Sequence, residues 1–223
     1  MAQKYDLHLH SSLSIDSLNK PEDLVKKYHG LGFSGFAITD HSKFGAHKKA
    51  REYALAHDLK IEIIPACEFY TDKGEVIGLY LQEMINEKNF ESLCDEIHDQ
   101  GGFVVLPHPF DSYRKGAMHP ERHPKALLRF IDAIESINGH CLLNSDNEKA
   151  REFAQNHGFA QTGGSDAHLL GECASAYTQI PDNLSLELAL RKNKTLPCGK
   201  TIPFYTRGIP TLIKLAKKSG FIR

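Results

Sequence analysis

The sequence predicts a single-domain α/β barrel of about seven strand–helix units, and three observations carry that prediction. Short apolar runs alternate with stretches of helical spacing along the whole chain. Almost every apolar run ends in a histidine or a carboxylate, and the ends of parallel barrel strands converge on one face. The length, 223 residues, lies within the roughly 200–250 residues that one α/β barrel commonly occupies.

The strand candidates are residues 3–9, 35–39, 61–66, 76–81, 103–106, 131–137 and 159–163. Helix candidates span 21–30, 46–58, 89–100, 124–130, 145–157, 184–193 and 209–218. Pro21 suits a first helical turn, with Glu22 and Asp23 beside the positive end of the helix dipole. Gly101 and Gly102 end the 89–100 helix. Ser145 with Glu148 makes a capping box for the 145–157 helix, which Gly158 closes. In the last helix Ile209, Leu212, Ile213 and Ala216 face inward, and the basic stretch Lys214 to Lys218 lies on the exposed face. No repeat, low-complexity stretch or linker interrupts this order, so residues 1–223 read as one domain.

Hydrophobic residues at 41% and charged residues at 25% allow a sizeable core with no disordered tail. A formal net charge of −1 removes any overall electrostatic attraction to nucleic acid or an anionic membrane. The five cysteines have no Cys-x-x-Cys spacing and read as reduced thiols, not a zinc knuckle or a disulfide framework. Asp6, His8 and His10 interrupt any leader-like apolar run, and no later stretch is long enough to span a membrane, so the expected compartment is the cytoplasm. Oligomeric state leaves no signal. Thirteen histidines are roughly twice what average usage gives, and their positions matter more than their number.

In Asp6-Leu7-His8-Leu9-His10 the period of two puts the leucines on one side and Asp6, His8 and His10 on the other. A lone His-x-His is as readily two half-exposed polar residues. Asp166-Ala167-His168 repeats the spacing, after glycines that permit a sharp turn. His41, Glu68 and His108 each stand at the mouth of another strand. Singly these are capping or loop residues; jointly they supply what a site of two or three ions needs. Nitrogen and oxygen ligands without a thiolate suit Zn, Mn or Fe.

The segments DLHLHSSLSID, ITDH, ACE at 66–68, LPHPFD and GGSDAH, in that order from residue 6 to 168, resemble the motifs of the polymerase-and-histidinol-phosphatase (PHP) family. The resemblance implies a distorted TIM-like (β/α)7 barrel, two or three divalent metal ions and hydrolysis of phosphate esters. It implies that His8 and His10 bind one ion, that Glu68 and Asp166 bridge or share it, that His108 completes a second, and that Asp16, His41 and His168 hold a third. The chain departs where many members have His-x-Leu-Gly and it has Glu75-Val76-Ile77-Gly78. Glu75 is the candidate replacement ligand; the alternative is a solvated residue of the Asp72-Lys73-Gly74-Glu75 turn. Glu135 reads as a partner orienting a metal-bound histidine, and His140 as a weaker ligand candidate.

The implied chemistry is attack on phosphorus by a metal-activated water, with His41, His168 or a bound water protonating the leaving oxygen. Arg114 can offer its guanidinium fork to a substrate phosphate, or be an ordinary surface arginine. His29, His47, His57, His98 and His157 read as solvated helix residues, His119 and His123 as loop surface, and Cys67 as turned away from Glu68 into packing. The expected substrate is a small-molecule or nucleotide phosphomonoester. A nuclease or phosphodiesterase acting on oligonucleotides or single-stranded DNA is the alternative, though no basic and aromatic cluster supports it. A non-catalytic, metal-stabilised binding module is the third reading. No membrane partner is expected.

Overall fold

The computed structural model describes residues 2–222. Strands β1 (Gln3–Asp6), β2 (Gly35–Ile38), β3 (Glu62–Tyr70), β4 (Glu75–Leu79), β5 (Phe103–Leu106), β6 (Ala133–Asn138), β7 (Ala160–Gly164), β8 (Ala176–Ile180) and β9 (Leu196–Gly199) form one sheet in the order β7-β6-β5-β4-β3-β2-β1-β8-β9. The helices are α1 (Pro21–Gly30), α2 (Ala46–Ala56), α3 (Phe90–Asp99), α4 (Asn144–His157), α5 (Leu186–Arg191) and α6 (Ile209–Lys218).

The sheet curls into a nearly closed, distorted barrel. Beyond Asp6 the first strand continues as single contacts across the seam. Leu9 bridges Ala167 in parallel, Asp166 N–H donates to His8 O at 2.7 Å, and His10 N–H donates to Ala167 O at 3.0 Å. Lower in the seam the Thr178 hydroxyl accepts from Gly163 N–H at 2.9 Å and lies 3.1 Å from Gly163 O, so β8 fills the gap that β1 and β7 leave.

Three expectations need correction. The strands are not uniformly parallel, because β4 runs antiparallel to both β3 and β5. Only residues 71–74 separate β3 from β4, too few for the crossover of a dozen or more residues that parallel neighbours require. Thr71 instead closes a tight turn, its hydroxyl donating to Gly74 O at 2.7 Å. Two further strands, β8 and β9, pair antiparallel beyond β1. Pro197 lies inside the second, and a proline normally argues against a strand. The 124–130 helix is a 3-10 turn over Lys125–Phe130.

Capping also differs in detail. Leu143 occupies the N-cap of α4 without a side-chain bond, and Asn144, not Ser145, reaches Glu148, at 2.8 Å. The capping box is therefore absent, although Gly158 does close the helix in a left-handed conformation, φ 74°. In α6 only Ile213 is buried; Leu212 is 65% exposed, so the expected inward face is narrower, and Lys217 turns toward the body of the protein.

Side chains that alternate along the strands build the floor of the barrel. Leu7, Ala37, Ile64, Ile77, Val105 and Ala133 meet there, and Leu186 and Leu190 of α5 close it from below. Burying each large aliphatic side chain contributes roughly 1.5–3 kcal/mol. A second apolar layer joins α3 to β5 and α4, and a third joins α1 and α2 to β2. Among the described residues no helix is long and apolar enough to cross a membrane.

One buried polar knot ties the third layer to the barrel. Tyr28 of α1 donates to Asp6 Oδ2 at 2.5 Å, and Ser165 N–H donates to Asp6 Oδ1 at 2.9 Å. Burial pushes the Asp6 carboxyl up to about 6, with these hydrogen bonds opposing it. Tyr28→Phe removes a donor and leaves the carboxylate short of a partner, which should destabilise the fold by about 1–3 kcal/mol in urea denaturation. An unchanged midpoint would mean that the knot does not hold α1.

Candidate metal centre

The residues above the apolar floor are histidines and carboxylates, and the backbone explains how they arrive there. The strict alternation expected over residues 6–10 does not hold, because β1 ends at Asp6: Leu7 joins the barrel floor, Leu9 the α1–α2 layer and Asp6 turns to Tyr28, while His8 and His10 both reach the rim. Gly164 lies where any Cβ would collide with the His8 side chain, which makes room for that ring. His108 and Asp166 have φ of 31° and 55°, left-handed values that turn the chain sharply at the ends of β5 and β7. Cys67 packs into the α3 layer, and the next residue, Glu68, contributes its carboxylate to the rim.

Glu68 is the hub. Its Oε1 lies 3.2 Å from His108 Nε2 and 3.6 Å from His8 Nε2, and its Oε2 lies 2.9 Å from His41 Nδ1 and 3.6 Å from His10 Nε2. Asp166 Oδ1 is 3.1 Å from His10 Nε2 and 3.4 Å from His8 Nε2. Asp16 Oδ2 stands 3.4 Å from His41 Nε2, and its Oδ1 stands 3.9 Å from His168 Nε2. Glu75, buried at the start of β4, has Oε2 3.8 Å from His108 Nε2, so it is not a solvated turn residue. The fold thus gathers His8, His10, Asp16, His41, Glu68, Glu75, His108, Asp166 and His168 in one place.

The donor set fits divalent cations. His8 Nε2, His10 Nδ1, His108 Nδ1, Asp16 Oδ1 and Glu75 Oε2 are buried without a hydrogen-bond partner, and Glu68 Oε2, although close to His41, has no aligned bond. Native proteins rarely leave such groups unpaired, and an ion that takes their lone pairs removes the penalty. Ligand atoms of His8, His10 and Asp166 lie within 4.8 Å of one another, as do those of His8, Glu68 and His108, and of His10, His41 and His168.

Electrostatics follow from packing these groups together. Burial works against charge on His8, yet Asp166, Glu135 and Glu68 hold its imidazole well above the usual histidine range. The same balance, led by Glu68 and then Asp16, pushes His41 up to about 10. Burial would raise Glu68, but His8 and His41 hold it well below the usual carboxylate range; Arg114 and His8 do the same for Asp166. Burial and the charge of His10 hold His168 well below its usual value.

Side chains around the cluster fix its orientation. Glu135 Oε1 lies 3.0 Å from His8 Nδ1, and Oε2 accepts from His108 N–H at 2.8 Å and from Asn138 Nδ2 at 3.0 Å. Arg114 is not a free surface arginine: its Nη2 donates to Asp166 Oδ2 at 2.6 Å. His140 Nε2 is 3.2 Å from Glu172 Oε2, which also accepts from His168 N–H. Asn138, although it lies between the candidates Glu135 and His140, and Glu172, four residues after His168, were not foreseen, because an amide or a loop carboxylate gives no signal of its own. Of the histidines read as solvated, His47 is buried against Phe44 and burial pushes it down to about 4. His29, His57, His98 and His157 are exposed, and His119 and His123 are half-buried in their loop.

The model of the PHP domain matches residues 6–158, and that of a PHP-associated segment matches 144–195. An uncharacterized protein of Methanocaldococcus jannaschii is 35% identical over 205 residues, covering 86% of this chain and 80% of that protein. A two-domain protein of Bacteroides vulgatus containing a predicted PHP-like metal-dependent phosphoesterase superposes with a TM-score of 0.74 at 23% identity, over 90% of this chain and 65% of its own. An amidohydrolase of Chromobacterium violaceum, holding sulfate and no metal, gives 0.65 at 17% identity, over 86% and 97%. At those two identities the likeness is one of fold.

Because His8 and His41 hold protons at neutral pH, an ion that takes their lone pairs must displace them. Binding of Mn²⁺ or Zn²⁺ at pH 7 should release about one proton or more per chain, and affinity should rise with pH toward the His41 value of about 10. Calorimetry in buffers of different ionisation enthalpy measures the release; none would place the ion elsewhere.

Proposed function

Because the chain belongs to the PHP domain family, we propose that it is a divalent-metal-dependent hydrolase of phosphate esters, with a small-molecule or nucleotide phosphomonoester as substrate. The observation that carries this reading is the convergence of buried imidazoles and carboxylates, with unpaired lone pairs, at the strand ends. His8, His10, Glu68 and Asp166 would hold one ion, Glu68, Glu75 and His108 a second, and Asp16, His41 and His168 a third. Bound divalent ions would supply a water nucleophile at neutral pH and draw charge from the phosphoryl oxygens.

The protein's own groups set the rest. Glu135, against His8 Nδ1, keeps Nε2 of that ring facing the cluster. His168 Nδ1 lies 2.7 Å from Asp166 O, so its Nε2 faces Asp16. Of the donors expected for the leaving oxygen, His41 and His168 would both be taken up as ligands of the third ion, which leaves a bound water as the proton source while that ion is in place. Arg114 pairs with Asp166 through one nitrogen and has further N–H groups for a phosphate oxygen. With Tyr113, Lys115 and Arg122 it also lines an open cavity of about 260 Å³ whose cations suit a phosphate group.

Purified protein should carry roughly two to three divalent ions per chain and hydrolyse a phosphomonoester faster than a phosphodiester. His8→Ala/His10→Ala should lower the rate by about a hundredfold or more. Preference for the diester, with salt-sensitive binding of single-stranded DNA, would favour a nuclease; ions that raise thermal stability while every ester stays intact would favour a binding module. Arg114→Ala should raise KM for the monoester by about tenfold. An unchanged KM would remove Arg114 from substrate binding.

A further inference from the structure

Asp16 rides on the loop of residues 11–18, which crosses the mouth of the barrel between β1 and α1. The inner side of this loop is fastened to the cluster's own strands. Ser14 Oγ donates to Asp40 Oδ1 at 2.7 Å and accepts from His41 N–H at 3.1 Å, and Ser17 Oγ lies 2.8 Å from His10 O. The outer side turns three backbone carbonyls toward a single point. Lys217 of α6 puts its ammonium there, donating to Ser12 O at 3.1 Å, Ser14 O at 2.8 Å and Ser17 O at 2.8 Å.

A lysine ammonium has three protons and no more, so this contact uses its full donor capacity. A guanidinium, with donors spread in a plane, cannot direct three of them at carbonyls converging from one side. The rest of α6 is loosely attached: Ile213 is its only buried residue among those described, and Leu212 and Leu215 are exposed. The helix therefore meets the loop chiefly through a cation whose acceptors flank Asp16.

We propose that Lys217 is a positioning residue for the ion assigned to Asp16, His41 and His168: by gathering the Ser12, Ser14 and Ser17 carbonyls it holds Asp16 toward those histidines, and so makes occupancy of that site depend on the C-terminal helix. This rests on the ligand assignment proposed above. It gives a distant element, joined by no motif to the strand-end clusters, a specific role in assembling one ion site out of three.

The test is Mn²⁺ binding to the full-length chain, followed by the electron paramagnetic resonance of free Mn²⁺, for wild type, Lys217→Met, Asp16→Asn, the double variant and Lys214→Met. Lys214 is exposed on the same helix and controls for loss of charge. Lys217→Met should weaken one class of ion by about 10–100-fold and leave the others unchanged. Asp16→Asn should weaken the same class, and the double variant should be no worse than Asp16→Asn alone. Wild-type binding by Lys217→Met, equal weakening of every ion, or losses that multiply in the double variant would overturn the proposal. If Asp16→Asn changes nothing, the ligand assignment falls and takes the proposal with it; if only Lys217→Met changes nothing, the proposal falls alone. Should Lys217→Met fail to fold, Lys217→Ala, which likewise has no side-chain donor, replaces it, and wild-type binding by that variant overturns the proposal equally.

Discussion

A carboxylate with no access to water touches four imidazoles, and much of the protein is arranged around keeping it ionised. Glu68 lies within 3.6 Å of His8, His10, His41 and His108. An isolated buried charge of this kind would take up a proton rather than persist. Here each neighbour is held by something else: Glu135 fixes His8, the Asp166 carboxylate meets His10, and Asp16 meets His41. Arg114 then offsets the surplus negative charge at Asp166. The cluster is a network in which Glu68, Asp166, His8 and His41 hold one another's charge, the situation in which buried polar groups matter most.

The barrel supplies that network with a dry floor and a rigid rim. Aliphatic side chains from successive strands exclude water from below, while strand ends bring in ligands that lie far apart in sequence. The reversal of β4 has a direct chemical result. By running antiparallel it places its first residue, not its last, at the rim, and that residue is Glu75. A parallel strand would have sent Glu75 to the far end of the barrel.

Much of the proposed site was legible in the primary structure because histidines and carboxylates at strand ends leave local signals. His8 with His10 and Asp166 with His168 are spaced by two residues, and Glu68 and His108 end apolar runs. The fold was legible wherever apolar runs were long enough to show a period. What escaped depended on contacts distant in sequence. Strand β8 is short and half polar, and β9 contains Pro197; β8 forms on the free edge of β1, and β9 on that of β8. Ser145 fits a capping box by spacing alone, yet the helix starts at Asn144. The stretch Lys214 to Lys218 looks uniformly solvated in sequence, and only three-dimensional packing singles out Lys217.

The left-handed backbone at His108 and Asp166 sets a limit on how this protein can change. Each position combines a proposed ligand with a conformation that disfavours most side chains, a strain of about 1–3 kcal/mol. Glycine would relieve the strain and delete the ligand, so selection for robustness alone would erode the centre. Aspartate, asparagine and histidine all visit the left-handed region more often than other residues. A change to asparagine is therefore conformationally cheap at both positions, and what opposes it is chemical: the loss of a carboxylate charge at 166 and of an imidazole nitrogen at 108.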